Sequence, residues 1–249
     1  MQSALDQFKI SIGRVRDLIA LYNSLQAQST QILDLSDLLR ASLVLAVSAL
    51  DYYIHEVVTL GMLEIYRGQR PEPNPSRNQS QSSFSRFKVS LGNARQERSM
   101  ALGITSWLED QIRQNYGDTF LQSSHNISSL IPVLSTLINN KLNDISWLED
   151  EIRVYLGYKS FQHPDKISEA IRLISGKELW NEISQRVARS PRDIKQNLAS
   201  IVDRRNKIAH EADIDPTYNI GDRWPINPNS VISSVDFIEN IVENIHVIL

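Results

Sequence analysis

Apolar residues recur along most of this 249-residue chain at helical spacing, with no run that alternates as a strand does. Leu5, Phe8, Ile12, Val15, Leu18, Ile19, Tyr22 and Leu25 follow the i, i+3, i+4, i+7 rule, which predicts an amphipathic helix over 3–27. A second helix starts at Ser36, a good N-cap residue, and runs to about Tyr66, where Gly68 supplies a stop. Its middle, Leu43 to Leu50, is apolar almost all round, as a central buried helix must be. Gln69 to Ser83 then carries three prolines among Ser, Asn and Gln and no hydrophobe, which predicts a flexible loop.

An internal repeat follows. Ser106-Trp-Leu-Glu-Asp-Gln-Ile-Arg returns forty residues on as Ser146-Trp-Leu-Glu-Asp-Glu-Ile-Arg, and Ile127-Ser128 and Ile131 return as Ile167-Ser168 and Ile171. Each copy opens with Ser-x-x-Glu, the capping-box pattern, and closes on Gly117 or Gly157. The expectation is a duplicated helical hairpin, with Trp107 and Trp147 as core anchors. Two copies are fewer than a solenoid needs, so the unit should pack on a larger bundle. Further helices are expected at 164–175 behind Pro164, at 177–187 around Trp180, at 191–211, and at 231–249. The predicted fold class is all-α, one compact domain made of the N-terminal helices 1–68, the loop 69–83, a helical insertion 84–144 with the first repeat copy, and 145–249 with the second copy, the motif helix and the C-terminal helix.

The helix over 191–211 departs from the pattern at one place. Ser190-Pro191-x-Asp193 gives it an N-cap, an N1 proline and an N3 acid, and Ile194, Leu198, Ile201, Val202, Ile208, Ala209 and Ala212 form its apolar stripe. Arg205 falls in the middle of that stripe, where a Leu or Ile belongs. A guanidinium is always charged and is seldom fully buried unpaired, so Arg205 must face a polar cleft, an ion pair or a subunit interface. Asn206 and His210, spaced i, i+4, share one flank, while Arg204 and Lys207 turn outward.

Arg205-Asn206-x-x-x-His210 resembles the R-x4-6-H motif of the HEPN superfamily in its form R-N-x-x-x-H. The run from Phe161-Gln162-His163-Pro164-Asp165-Lys166-Ile167 through Leu179-Trp180 to IVDRRNKIAHEADIDP, with ASLVLAVSALDYYIHE at 41–56, resembles the RiboL-PSP branch of that superfamily. The resemblance covers Arg40 to Tyr66 and about Ile145 to Leu249; 67–144 has no counterpart in the pattern. It implies a HEPN-like helical bundle, a homodimer with a composite site, and metal-independent RNA cleavage leaving 2′,3′-cyclic phosphate and 5′-OH ends. It also places an Asp and a His at positions like Asp51 and His55. These two form either part of the site or a polar pair in the core. The role implied is a toxin or phage-defence effector, with a cognate regulatory or antitoxin protein as a further partner; the alternative is a non-catalytic dimeric interaction module.

Composition narrows the chemistry. The chain has no cysteine, which removes disulfides, thiolate zinc sites and cysteine nucleophiles. No H-E-x-x-H, P-loop or G-x-G-x-x-G pattern occurs, and neither metal nor cofactor is expected. The N-terminus lacks signal-peptide features and the longest apolar run, Ala41 to Leu50, is too short to cross a bilayer, so a cytoplasmic protein without membrane contact is expected. Net charge of −3 argues against a general nucleic-acid coat, so RNA contacts must be local. The clusters that offer them are Arg204, Arg205 and Lys207, and the stretch with Arg86, Lys88, Arg95 and Arg98.

RNA carries its own nucleophile, the ribose 2′-OH. Cleavage then requires a proton acceptor, a proton donor and a cation for the charged transition state. His210 can serve either proton role near neutral pH, and Arg205 can hold phosphate oxygens in a fork. Asn206 is expected to orient the imidazole or the phosphate, and Glu211 or Asp51 to tune it. A two-fold dimer with paired motif helices would supply two imidazoles.

Overall fold

The computed structural model describes residues 1–28, 34–75, 80–88, 100–217 and 221–249, without the side chains of 100–106 and 141–142. These residues divide into two compact units, Met1–Ser85 with Lys159–Leu249, and Arg86–Tyr158. Among them every regular element is a helix, and the one β-type pairing is an isolated bridge between Ile214 and Arg223.

The first unit contains α1 (Gln2–Gln28), α2 (Ser36–Tyr66), α7 (Pro164–Ile171), α8 (Leu179–Val187), α9 (Pro191–Glu211) and α10 (Pro228–Ile248). α2 packs against α1, α7, α9 and α10. This is the central role its apolar middle predicts: Leu43, Ala46, Val47, Leu50, Tyr53, Ile54, Val57 and Val58 are all buried. The helix is long and apolar enough to pass for a membrane span by length and composition, unlike the short run at its centre, and 56% of its most apolar window is covered within the bundle. Phe8 of α1 meets Tyr53 edge-on, with ring centroids 5.8 Å apart. Near the other end of α2, Gly61 lets α2 approach Ile174 so closely that a β-carbon there would stand 2.8 Å from it.

The helix ends follow the local capping signals in part. Gly68 ends α2 at φ 71°, and Ser190 caps α9 by accepting from the Asp193 amide at 3.1 Å, with Pro191 at the first turn. At the start of α2 Leu35 holds the N-cap position without a side-chain cap, Asp34 before it accepts from the Ser36 amide at 2.9 Å, and Ser36 is already helical. The loop after α2 is tied at its described ends. Arg70 pairs with Glu64 at 2.9 Å, and Glu72 accepts from Ser82 and Ser85. Residues 76–79 lie outside the described residues.

The second unit contains α3 (Met100–Tyr116), α4 (Asp118–Gln122), α5 (Ile127–Asn143) and α6 (Ser146–Gly157). The unit boundary falls after Tyr158, so α6, the opening helix of the second repeat copy, sits with the inserted segment and its partner helix α7 sits in the first unit. The two copies also start differently. Ser106 lies inside α3, whereas Ser146 opens α6 with its amide and hydroxyl bonded to Asp144 at 3.0 and 2.7 Å. Neither serine acts as the N-cap of a capping box. Trp107 is buried with Ile112, Leu137, Leu148, Ile152 and Leu156, and Trp147 is half-buried.

Candidate functional site

α9 carries the motif, and its burial changes along its length. Ile194, Leu198, Ile201 and Val202 are buried, Arg205 and Ile208 are half-buried, and Ala209, His210, Glu211 and Ala212 are exposed. The apolar stripe therefore leaves the core in its last two turns, and Arg205 marks the point of departure.

Among the described residues the guanidinium of Arg205 has no carboxylate partner. Its one side-chain hydrogen bond runs from Nη1 to Asn206 Oδ1 at 3.1 Å, and its Nε is buried with no acceptor. Among the described residues Arg205 forms no ion pair with Asp51, whose oxygens are taken by Phe161 and Gln162. The rest of this half-buried fork keeps donors that no protein group among the described residues uses. Asn206 orients the arginine; it makes no bond to His210. The imidazole of His210 is exposed and, among the described residues, without a side-chain partner. Glu211 is likewise exposed and makes no bond to that ring.

Arg204 does not turn outward. It forks onto both oxygens of Asp213, with Nη2 to Oδ2 at 2.8 Å, and onto the Trp224 and Pro225 carbonyls at 3.3 Å each. Asp213 is fully buried and also accepts from Arg40 Nε at 2.6 Å, while Arg40 Nη2 reaches the Trp224 carbonyl at 2.9 Å. One carboxylate thus holds two guanidiniums. The chain gets there through two successive left-handed residues, Ala212 at φ 52° and Asp213 at φ 57°. The Trp224 amide donates to the Asp213 carbonyl at 2.9 Å, and Lys207 lies 4.8 Å from the centre of the Trp224 ring. The flank of α9 expected to be solvated is instead the seat of the loop after it. Helical periodicity carries no sign of that loop's return, although an acid just beyond two arginines was a signal available in the sequence.

Asp51 and His55 belong to a separate cluster. Asp51 Oδ1 accepts from the Phe161 amide at 2.6 Å, and Oδ2 accepts from Gln162 Nε2 at 3.0 Å. His55 Nε2 stands 3.7 Å from Asp51, and its ring packs on Phe161 at 4.6 Å. Neither side chain bonds to Arg205 or His210. Their visible work is to seat the turn before α7. From that turn His163 comes within 3.8 Å of Asp203, one turn of α9 before Asn206.

Arg86 and Lys88 are exposed residues of the second unit, where Phe87 meets Tyr155 edge-on at 4.6 Å. Arg95 and Arg98, the other members of that cluster, lie outside the described residues. Among the described residues no group of three His, Asp or Glu converges as a metal site would.

A helical bundle around one long apolar helix, with Arg-Asn-x-x-x-His on the last turns of a packed partner helix, defines a HEPN domain. The model of the RiboL-PSP-HEPN family matches residues 10–249, and the chain belongs to that family. The match runs through 67–144, which no motif had placed. No curated protein and no solved structure matches the chain.

Proposed function

We propose that this protein is a metal-independent endoribonuclease that cleaves single-stranded or looped RNA by attack of the ribose 2′-OH on the adjacent phosphate. The observation that carries the reading is the Arg205 guanidinium, partly buried, oriented by Asn206 and left without an anion. It offers a fork to non-bridging phosphate oxygens as charge accumulates on them, and such preorganised donors at developing charge are a principal source of catalysis. His210, five residues on and exposed, removes the 2′ proton or donates one to the leaving 5′ oxygen.

One imidazole cannot do both at once. The stripe that leaves the core at Ile208, Ala209 and Ala212, with Ile214 49% exposed beyond it, gives a second copy an apolar surface on which to dock its own motif helix. The partner's His210 would then take the second proton role. Unpaired RNA is the substrate because in-line attack needs a backbone that can leave A-form geometry. The reading suits a cytoplasmic toxin or defence effector restrained by a regulatory partner.

The same exposed surface favours a second reading, a dimeric interaction module with no reaction. Purified protein incubated with mixed cellular RNA in excess EDTA separates the two. Fragments ending in 2′,3′-cyclic phosphate and 5′-OH are expected; 3′-OH ends, or cleavage only with a divalent ion, would overturn the mechanism. A stable dimer with no cleavage would favour the module.

A further inference from the structure

The motif face of α9 carries, besides Arg205, a cation that no acid among the described residues holds. Arg204 and Arg223, its neighbours on the helix and on the loop behind it, are spent on Asp213, Asp34 and Asp37. Lys207 is exposed, and among the described residues its one side-chain interaction is with the ring of Trp224, 4.8 Å from ammonium to ring centre. Glu211, at i+4 the usual partner of a helical lysine, forms no ion pair with it. The ring it sits on is fixed from behind. Trp224 donates its amide to the Asp213 carbonyl at 2.9 Å, and its own carbonyl accepts from Arg40 at 2.9 Å and from Arg204 at 3.3 Å. An ammonium on an aromatic face keeps its charge and its three donors, and it gives up part of the freedom that a loose lysine would lose on binding.

Position around the helix determines what that cation can meet. At 3.6 residues per turn, Arg205 lies about 140° to one side of His210 and Lys207 about 60° to the other, with Asn206 between Arg205 and His210. Along the axis Lys207 and His210 are about 4.5 Å apart, close to the ~3.4 Å advance per nucleotide of a stacked strand. A strand that lays one phosphate against Arg205 and His210 therefore carries a neighbouring phosphate to the Lys207 side. We propose that Lys207, seated on the Trp224 ring, holds the RNA phosphate next to the one that is cut. The proposal rests on the endoribonuclease reading for the identity of the ligand, and it gives that site a preference for strands with more than one phosphate. A neighbouring phosphate is bound alike before and during the reaction, so the contact lowers KM and leaves kcat unchanged. Lys207 is a binding residue, apart from the proton transfers of His210.

The test uses a short deoxyuridine strand with a single ribonucleotide, which has one cleavable phosphate, and the same strand with both neighbouring phosphates replaced by neutral methylphosphonates. The unmodified protein is expected to show a KM about fivefold higher on the neutralised strand, the worth of one exposed charge pair, with kcat unchanged. Lys207→Met, which keeps the stem and loses the charge, should show the higher KM on both strands, and Lys207→Arg should restore the difference. Trp224→Leu should raise KM part of the way on the charged strand alone, because the lysine stays but is no longer held. Anisotropy of the labelled, charged strand with the full chain carrying His210→Ala, across a salt series, gives a readout independent of cleavage. Adding Lys207→Met should lower the salt slope by about 0.7, the value for one single-strand phosphate contact. A lysine that only anchors the loop would leave the slope alone and lower the melting temperature instead. An unchanged slope in that variant, a difference between the strands that survives Lys207→Met, or no binding of the strand would each overturn the proposal. RNA cleavage by the unmodified protein, measured separately, keeps its fate distinct: cleavage with an unchanged slope removes the Lys207 contact alone, and a slope set by Lys207 without cleavage removes the reaction alone.

Discussion

Arg205 and Arg204 are neighbours in sequence with opposite situations. Arg204 is saturated by Asp213 and two carbonyls, whereas Arg205 has one amide and an orphaned Nε. Removing charge from the saturated site should cost stability: Asp213→Asn leaves two guanidiniums facing a neutral amide and is expected to lose about 3–5 kcal/mol, the range for breaking a buried pair, read from urea denaturation. Removing function from the open site should cost rate instead. His210→Ala is expected to lower RNA cleavage by about 10²–10⁴, the usual worth of a positioned proton-transfer group, with the melting temperature unchanged. Arg205→Lys should also be nearly inactive, because a point charge does not reproduce a fork; retention of most of its activity would remove the phosphate-clamp role. Arg205 was legible from the sequence because an arginine in an apolar stripe violates periodicity. Arg204 was not, since its position on a polar flank obeys periodicity and its partner arrives from a loop whose path only the fold determines.

Elements were legible in proportion to how far one helix's own pattern determines them. The extents of α1, α2 and α9 follow their stripes and stop signals closely, and Ser190-Pro191 starts α9 where it was expected. Ends set by neighbours were missed. The matching Ser-x-x-Glu of the two repeat copies falls inside α3 in one and at the first turn of α6 in the other, and Gly117 adopts φ 81° while Gly157 is still helical. Sequence identity between copies does not ensure equal caps when the residues before them differ. Close packing between elements is likewise silent in the pattern. Gly61 reads as a poor helix residue near the C-terminal end of α2, yet it is what admits Ile174. Gly61→Ala should raise intrinsic helix propensity but force Ile174 aside, with a net loss of about 1–3 kcal/mol as for other overpacked core sites. A gain in stability would show that α2 and the segment after α7 separate easily. Trp107 tests the second unit in the same way. It is 8% exposed, and Trp107→Ala should cost about 3–5 kcal/mol if that burial anchors the unit's core; a loss under about 1 kcal/mol would leave the ring available to a partner.

At the scale of the whole molecule, the proposed reaction needs a second copy of the chain. Each protomer offers one exposed imidazole and one unsatisfied guanidinium at the end of a helix whose apolar stripe continues past the edge of its own core. On the proposed reading, two-fold pairing of the 191–211 helices would cover Ile208, Ala209 and Ala212 with their equivalents and bring both His210 rings to one cleft. An alanine-rich contact also lets the helices approach closely. The expected result is a dimer by light scattering at micromolar concentration. Ala209→Glu should convert it to a folded monomer, because that substitution puts a charge in the centre of an apolar interface and of nothing else. The monomer is expected to lose cleavage while keeping Arg205 and His210 intact. Mixing inactive His210→Ala with inactive Arg205→Ala offers the complementary measurement. Heterodimers then hold a single His210, so no recovery of cleavage on mixing is the outcome expected of a site that needs both imidazoles. A protein that stays monomeric yet cleaves RNA at full rate would place both proton roles within one chain and remove the composite site.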